Sequence, residues 1–124
     1  MPKYLIIAFA LFLSACGSVQ IKEATSIQPP AGVSSHKLET AICDGIGKTR
    51  GWVIETKKPG AVVAGLHSQQ HYLQVTYEYT SSKVSSKITA SENLNQEGDK
   101  IHKRAIGWQQ RLDTSVYREI SMLK

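Results

Sequence analysis

The sequence is poor in cysteine and has no long apolar run, and these two absences limit the kinds of protein it can encode. Its two cysteines are Cys16 and Cys43, so it lacks the cysteine pairs that hold structural zinc. The longest apolar run, residues 4–13, is too short to span a bilayer. A serine nucleophile elbow, a phosphate-cradling glycine loop and an HExxH helix are also missing. We therefore favour a protein that is not an enzyme and holds no cofactor and no metal. An enzyme with an unfamiliar active site is the alternative.

The N-terminal residues carry the strongest pattern in the chain. Lys3 supplies a positive start, and residues 4–13 have the length of a signal-peptide core. The sequence LSAC at residues 13–16 resembles the bacterial lipobox. This resemblance implies that the thiol of Cys16 receives diacylglycerol, that residues 1–15 are cleaved, and that the new amino group is acylated. The sequence therefore predicts a lipid-anchored membrane protein with no transmembrane helix.

The same resemblance has consequences for sorting and for the second cysteine. Gly17 follows the lipidated cysteine where an aspartate would favour the inner membrane, so we expect an anchor in the outer membrane with the domain facing the periplasm. The alternative is an ordinary secretory signal cut after Ala15, which leaves a soluble periplasmic protein. With Cys16 modified, Cys43 has no partner for a disulfide, and its place beside a helical apolar stripe predicts a buried, unreactive thiol.

The charge of the chain is modest and mixed. The formal net charge is +5, and the basic residues are interleaved with acids instead of forming one block. In an envelope compartment this composition argues against a nucleic-acid partner. It allows weak attraction to lipopolysaccharide, phospholipid headgroups or a cell-wall polymer, although a solvated surface is the default reading.

The remainder divides into a tether and one domain. Residues 16–33 are polar and small, with Pro29-Pro30 and Gly32, and they show no sustained helical or strand period. Such a segment predicts a flexible tether that averages on the order of 20 Å end to end. Residues 34–124 have the length of a single small α+β domain.

Two helices frame this domain in the sequence. The first begins near Ser34 or Ser35, either of which can cap it, and Gly51 supplies a left-handed stop. The second covers residues 100–122, with Asp99 as its cap and an apolar stripe at helical spacing.

Four strands are predicted between the helices. They cover residues 52–56, 61–67, 71–79 and 83–90, with a turn at Pro59-Gly60 between the first two. The last two strands form an antiparallel hairpin whose alternation sets Tyr77 opposite Val84 and brings Glu78 beside Lys83. The sequence therefore predicts a two-layer sandwich of order α-β-β-β-β-α, a four-stranded antiparallel meander with both helices on one face.

The turn between the second and third strands decides where two histidines lie. A three-residue loop would face His67 toward His71, close enough to share a metal. A two-residue turn at 69–70 sets Leu66 opposite Leu73 and buries more apolar surface, and it sends the histidines to opposite faces. We favour the two-residue turn and predict no metal site.

Most of residues 38–123 resemble a group of small, uncharacterised bacterial lipoproteins. The resemblance rests on Gly51-Trp52, Pro59-Gly60, His71, Ser91, Asn93-Leu94, Ile101-His102 and Trp108. It implies no activity and no catalytic residue. Residues 103–107 depart from the pattern, which has a tyrosine and an asparagine before the tryptophan.

The candidate site residues are few. His71 and His102 could meet at one end of the sandwich and are the only candidates for a catalytic role, though a hydrogen-bonded structural role is the favoured reading. Trp52 and Trp108 could line a ligand cleft, but burial in the core is favoured. The outer face of the sheet is the candidate contact surface, with Tyr72, Gln74, Thr76, Lys83, Lys87 and Thr89.

These features predict a lipid-anchored accessory module that presents its surface to an envelope protein complex. Restriction to a membrane raises the effective concentration of such a module for a membrane-embedded partner. Two alternatives stay open, namely a small hydrolase or metal-dependent enzyme that uses His71 and His102, and a carrier of a lipid or cell-wall ligand.

Overall fold

The computed structural model of the protein describes residues 17–21 and 24–124. The proposed lipidation site Cys16 and the segment 1–15 lie outside the described residues. The elements, in chain order, are β1 (Ser18–Gln20), β2 (Thr25–Ile27), α1 (Ser35–Gly47), β3 (Trp52–Lys58), β4 (Ala61–Ser68), β5 (His71–Tyr79), β6 (Val84–Glu92), β7 (Lys100–His102) and α2 (Lys103–Ser121). Neither helix in this part of the chain is long and apolar enough to cross a membrane.

The predicted α+β class is confirmed, but the sheet is larger than the predicted four-stranded meander. Five antiparallel strands stand in the order β2-β6-β5-β4-β3, and β1 pairs with β7 in a separate two-stranded sheet. The added strands β1 and β2 come from the segment 16–33, so its prediction as a tether without secondary structure is wrong. Each is only three residues long and is held by a partner distant in sequence, which no local pattern reveals.

The local turns follow the sequence closely. Ser34 caps α1 by accepting a hydrogen bond from the backbone N–H of Lys37 at 3.2 Å. Gly51 and Gly60 adopt φ of +88° and +85°, the left-handed conformation that the two turns around β3 require.

The register of β4 with β5 is the predicted one. Ser68 pairs with His71 across a two-residue turn, and Leu66 lies opposite Leu73. The predicted register of β5 with β6 is wrong by two residues, because Tyr77 pairs with Ser86.

Two contacts account for that difference. The backbone N–H of Thr80 donates to the carbonyl oxygen of Lys83 at 2.8 Å. The turn therefore lies later in the chain than the predicted register places it. Glu78 forms its ion pair with Lys87 at 2.7 Å instead of with Lys83. The apolar alternation alone did not distinguish the two registers.

The start of α2 also differs from the prediction. The helix begins at Lys103 with His102 as its cap, because residues 100–102 are extended and pair with β1. Asp99 accepts a hydrogen bond from the Gln20 side chain at 2.9 Å instead of capping the helix.

Both helices pack on the same face of the sheet and on each other. They are in tight contact at Gly45, where an added Cβ would stand 2.5 Å from the Cα of Val116. The core lies beneath them and includes Leu38, Ile42, Ile46, Leu73, Val75, Tyr77, Leu112, Val116 and Ile120.

Candidate functional site

The face of the sheet opposite the helices, called the outer face below, carries a connected set of polar side chains. It is formed by residues that alternate with the core positions, and its members are Glu55, His67, Tyr72, Gln74, Thr76, Glu78, Lys87 and Thr89. Tyr72, Gln74, Thr76, Lys87 and Thr89 were predicted here from alternation alone. Lys83 was also predicted here, but it lies in the turn before β6 and is exposed.

The network on the outer face is built around a carboxylate that a β-bulge places on the edge strand β3. Glu55 lies at the irregularity between Ile54 and Thr56, where β3 has one residue more than β4. Its carboxylate lies over Gly65, and a Cβ at that position would overlap it. The Glu55 carboxylate therefore occupies space that a side chain at position 65 would fill.

Three groups hold the Glu55 carboxylate. Tyr72 donates its hydroxyl to Glu55 Oε1 at 2.6 Å, and Gln74 Nε2 donates to the same oxygen at 3.3 Å. His67 Nε2 lies 3.6 Å from Glu55 Oε2, and the His67 ring lies 4.6 Å from the ring of Tyr72. The carboxylate is thus fixed by side chains from two neighbouring strands.

The network continues onto β6. Thr89 donates its hydroxyl to Gln74 Oε1 at 2.8 Å, and Thr76 Oγ1 lies 2.9 Å from Thr89 Oγ1. Gln74 therefore connects Glu55 on β3 to Thr89 on β6, and the network spans four adjacent strands.

The titration of this network follows its hydrogen bonds. Burial acts to raise the pKa of the Glu55 carboxyl, but hydrogen bonds from Tyr72, Gln74 and His67 outweigh it and hold that pKa below its usual value. Burial raises the pKa of the Tyr72 hydroxyl, and its bond to Glu55 raises it further. Glu55 is therefore held as the acceptor and Tyr72 as the donor.

His71 and His102 both contact Arg104, His71 through the guanidinium group and His102 through the backbone N–H. His71 Nδ1 is 2.7 Å from the carbonyl oxygen of Asn93, and its Nε2 is 3.4 Å from the Arg104 guanidinium. His102 Nδ1 accepts the backbone N–H of Arg104 at 3.1 Å. Each histidine thus has a structural hydrogen bond.

No group of three or more histidine, cysteine or acidic side chains able to hold a metal occurs within residues 17–21 and 24–124. The two-residue turn sends His67 to the outer face, while His71 lies toward Trp108, with 6.2 Å between ring centroids. The register thus separates the two histidines that a three-residue loop would have brought together.

The two tryptophans differ in burial. Trp52 is only 6% exposed and belongs to the core, while Trp108 is partly buried and packs against it. Both line a depression at the start of β3 and the end of β4.

Sequence reasoning missed a buried polar cluster between α2 and the inner face of the sheet. Asp113 accepts the hydroxyl of Tyr77 at 2.5 Å and that of Ser86 at 2.7 Å, both on Oδ1. Thr25 of β2 donates to its Oδ2 at 3.1 Å. The signal for this cluster was present, since Ser86 stands at an inward position of β6 and Asp113 borders the apolar stripe of α2.

The environment of Asp113 sets its titration. Burial raises the pKa of its carboxyl, and the hydrogen bonds from Tyr77, Ser86 and Thr25 offset only part of that effect. Burial beside Asp113 also raises the pKa of Tyr77, so the phenol stays protonated and donates. The cluster ties β2 to the core and leaves Asp113 with 8% exposure.

No protein-family model matches the chain, and no curated protein matches it.

Proposed function

We propose that the protein is a non-enzymatic, lipid-anchored accessory module of the cell envelope that binds a partner protein through its outer face. The observation that carries this proposal is the network around Glu55, which is fixed on four strands and lies on the face that the helices leave uncovered. Side chains held by neighbours on a rigid sheet lose little conformational freedom on binding.

The chemistry of the outer face suits a protein partner. Tyr72 offers an aromatic ring and a hydroxyl, and tyrosine is enriched at protein interfaces. Glu78 and Lys87 form an exposed ion pair at one side of the network, which can give polar specificity at the rim.

The proposed lipid anchor supports this role by holding the domain at the membrane. Only Gly17 separates Cys16 from β1, so about 7 Å of chain joins the proposed anchor to the domain. A domain held so closely samples a thin layer above the headgroups, which raises its effective concentration for a membrane-embedded partner.

Photo-crosslinking in cells tests the partner. A photoreactive residue is placed at Glu78 or Lys87 on the outer face, and at Thr40 on the exposed side of α1 as a control. We expect one discrete protein adduct from both outer-face positions and none from position 40. Equal adducts from all three positions, or none from the outer face of correctly folded and localised protein, would contradict the proposal.

A pair of glycine variants tests the network itself. Gly65→Ala places a methyl group where the Glu55 carboxylate lies, and the displaced carboxylate loses its bonds to Tyr72 and Gln74. Gly107→Ala adds the same methyl group where no atom lies within 4 Å. The crosslinked adduct should fall with Gly65→Ala and persist with Gly107→Ala, and an unchanged yield in both would exclude the network from binding.

Lipidation is tested separately. Cys16→Ser should move the protein from the membrane fraction to the soluble or unprocessed fraction, with loss of the acyl mass. Retention of an acylated, membrane-bound protein would refute the anchor.

A further inference from the structure

A groove rich in positive charge lies away from the outer face, between the C-terminal end of α1 and the middle of α2. It encloses about 490 Å³, and its cationic lining residues are Lys48, Arg50, Arg111 and Arg118. Arg50 and Arg111 also line an adjoining depression of about 250 Å³ at the start of β3 and the end of β4. The two depressions share these arginines and are called the basic cleft below.

The positive charge of the basic cleft is largely uncompensated. Among the residues that the structure describes, no acidic side chain lines either depression. Lys48 forms an ion pair with Glu119, but within the described ranges no ion pair forms at Arg50, Arg111 or Arg118. Three guanidinium groups in a concave site create a positive potential that attracts an anion.

The donors of the basic cleft suit phosphate. A guanidinium group presents parallel N–H donors that match two oxygens of one phosphate, and several such groups can share the oxygens of a single anion. Arg50 and Arg111 line both depressions, so they are the cationic side chains that the two parts of the basic cleft share.

The second depression suits the group that carries the phosphate. Trp108 lines it and is only partly buried, so part of its indole forms an apolar wall. Ser68, the last residue of β4, adds a hydroxyl group to the lining of this depression. A sugar ring or the glycerol of a lipid headgroup has the size and the mixed polarity that such a wall and hydroxyl accommodate.

We propose that the basic cleft binds a phosphate group carried by a sugar or a lipid headgroup, with Arg50 and Arg111 as the phosphate ligands. The basic cleft borders the outer face at His67, which lines the second depression, but its proposed phosphate ligands lie outside the Glu55 network, and this inference does not depend on the accessory-module proposal. A protein partner on one face and a phosphorylated envelope component in the basic cleft can be bound together.

The tryptophans provide a direct reporter for the test. Both tryptophans of the chain line the second depression, so a ligand bound there changes the intrinsic fluorescence. The full chain is purified in an uncharged detergent and titrated at constant ionic strength with three probes, namely inorganic pyrophosphate, glucose 1-phosphate and mixed micelles that contain phosphatidylglycerol. Saturation with sugar phosphate at the lowest concentration identifies a glycan source, and saturation with the micelles identifies a lipid source.

A matched pair of double variants separates a site from general charge. Arg50→Gln with Arg111→Gln should weaken binding about tenfold or more, since each lost bond is a hydrogen bond to a charged group. Lys58→Gln with Lys83→Gln removes the same charge from exposed positions elsewhere and should change binding less than about twofold.

The proposal fails if none of the three probes gives a saturable change, or if both double variants weaken binding equally. Circular dichroism and the unfolding midpoint check that the arginine variant is folded. If it is not, Arg111→Lys carries the test, because lysine keeps the charge but lacks the two-donor fork, and binding should weaken several-fold. Unchanged binding in Arg111→Lys then overturns the role of the guanidinium.

Discussion

Replacing Asp113 by alanine should destabilise the protein through the groups that the carboxylate leaves behind. Tyr77 and Ser86 are both 0% exposed, and both donate to Asp113 Oδ1. Each buried hydroxyl left without an acceptor costs about 1–3 kcal/mol. Part of that loss is offset, because the variant no longer buries a carboxyl group, and burial of this group is unfavourable enough to raise its pKa. We expect Asp113→Ala to lower the free energy of unfolding by about 2–4 kcal/mol.

Asp113→Asn is the matched control. Asparagine keeps a carbonyl oxygen that can accept from Tyr77 and Ser86, and it has nearly the same volume as aspartate, so we expect a cost below about 1.5 kcal/mol. The assay is urea unfolding followed by tryptophan fluorescence, in which the alanine variant should lower the midpoint by roughly 1–3 M.

Two results would refute this account of the cluster. An alanine variant within about 1 kcal/mol of the wild type would show that the buried hydroxyls find other acceptors. An asparagine variant as unstable as alanine would show that the negative charge of Asp113, and not its accepting oxygen, stabilises the fold.

The remaining predictions concern pH, helix contact and thiol reactivity. The folded protein binds the proton of Asp113 more tightly than the unfolded chain does. The stability from this group is therefore fully present below its ordinary pKa of 3.8 and falls as pH rises toward the raised folded value. The pH dependence of the urea midpoint should lose this decline in Asp113→Asn, and an unaltered profile would contradict the raised pKa. Gly45→Ala should lower the free energy of unfolding by about 1–3 kcal/mol, because its Cβ meets the Val116 backbone. Gly47→Ala, with open space around the new methyl group, should raise the free energy of unfolding by up to about 1 kcal/mol in the same assay. Equal effects would contradict the close helix contact. Burial raises the pKa of the Cys43 thiol, so it should react with iodoacetamide more slowly near neutral pH than an unstructured cysteine, as measured by mass spectrometry, and an equal rate would contradict that shift.

The structure also corrects the picture of a domain on a long flexible tether. The segment 16–33 was predicted to be a flexible tether, but Ser18–Gln20 already pairs with Lys100–His102. In the sequence, only Gly17 separates the proposed anchor residue Cys16 from β1, so little chain is left to act as a tether before the first strand.

Several parts of the fold were determined by local sequence. Ser34 caps α1 through a bond to a residue three positions away. The two-residue turn at 69–70 followed from the apolar alternation on both sides of it, because a shift would expose Leu66. The outer face was predicted on the same basis, since alternate residues of an antiparallel strand face opposite sides. In each case the information lies within about ten residues of chain.

Only the tertiary structure decided the rest. β1 and β2 exist because Ser18 meets His102 and Thr25 meets Ser86, partners far away in the chain. The same pairing with β1 keeps residues 100–102 extended and delays the start of α2. The Glu55 network needed a bulge on one strand and a glycine on the next, and the Asp113 cluster needed side chains from a helix and three strands. Such contacts depend on which distant segments pack together, and the spacing of residues within one segment carries no information about that choice.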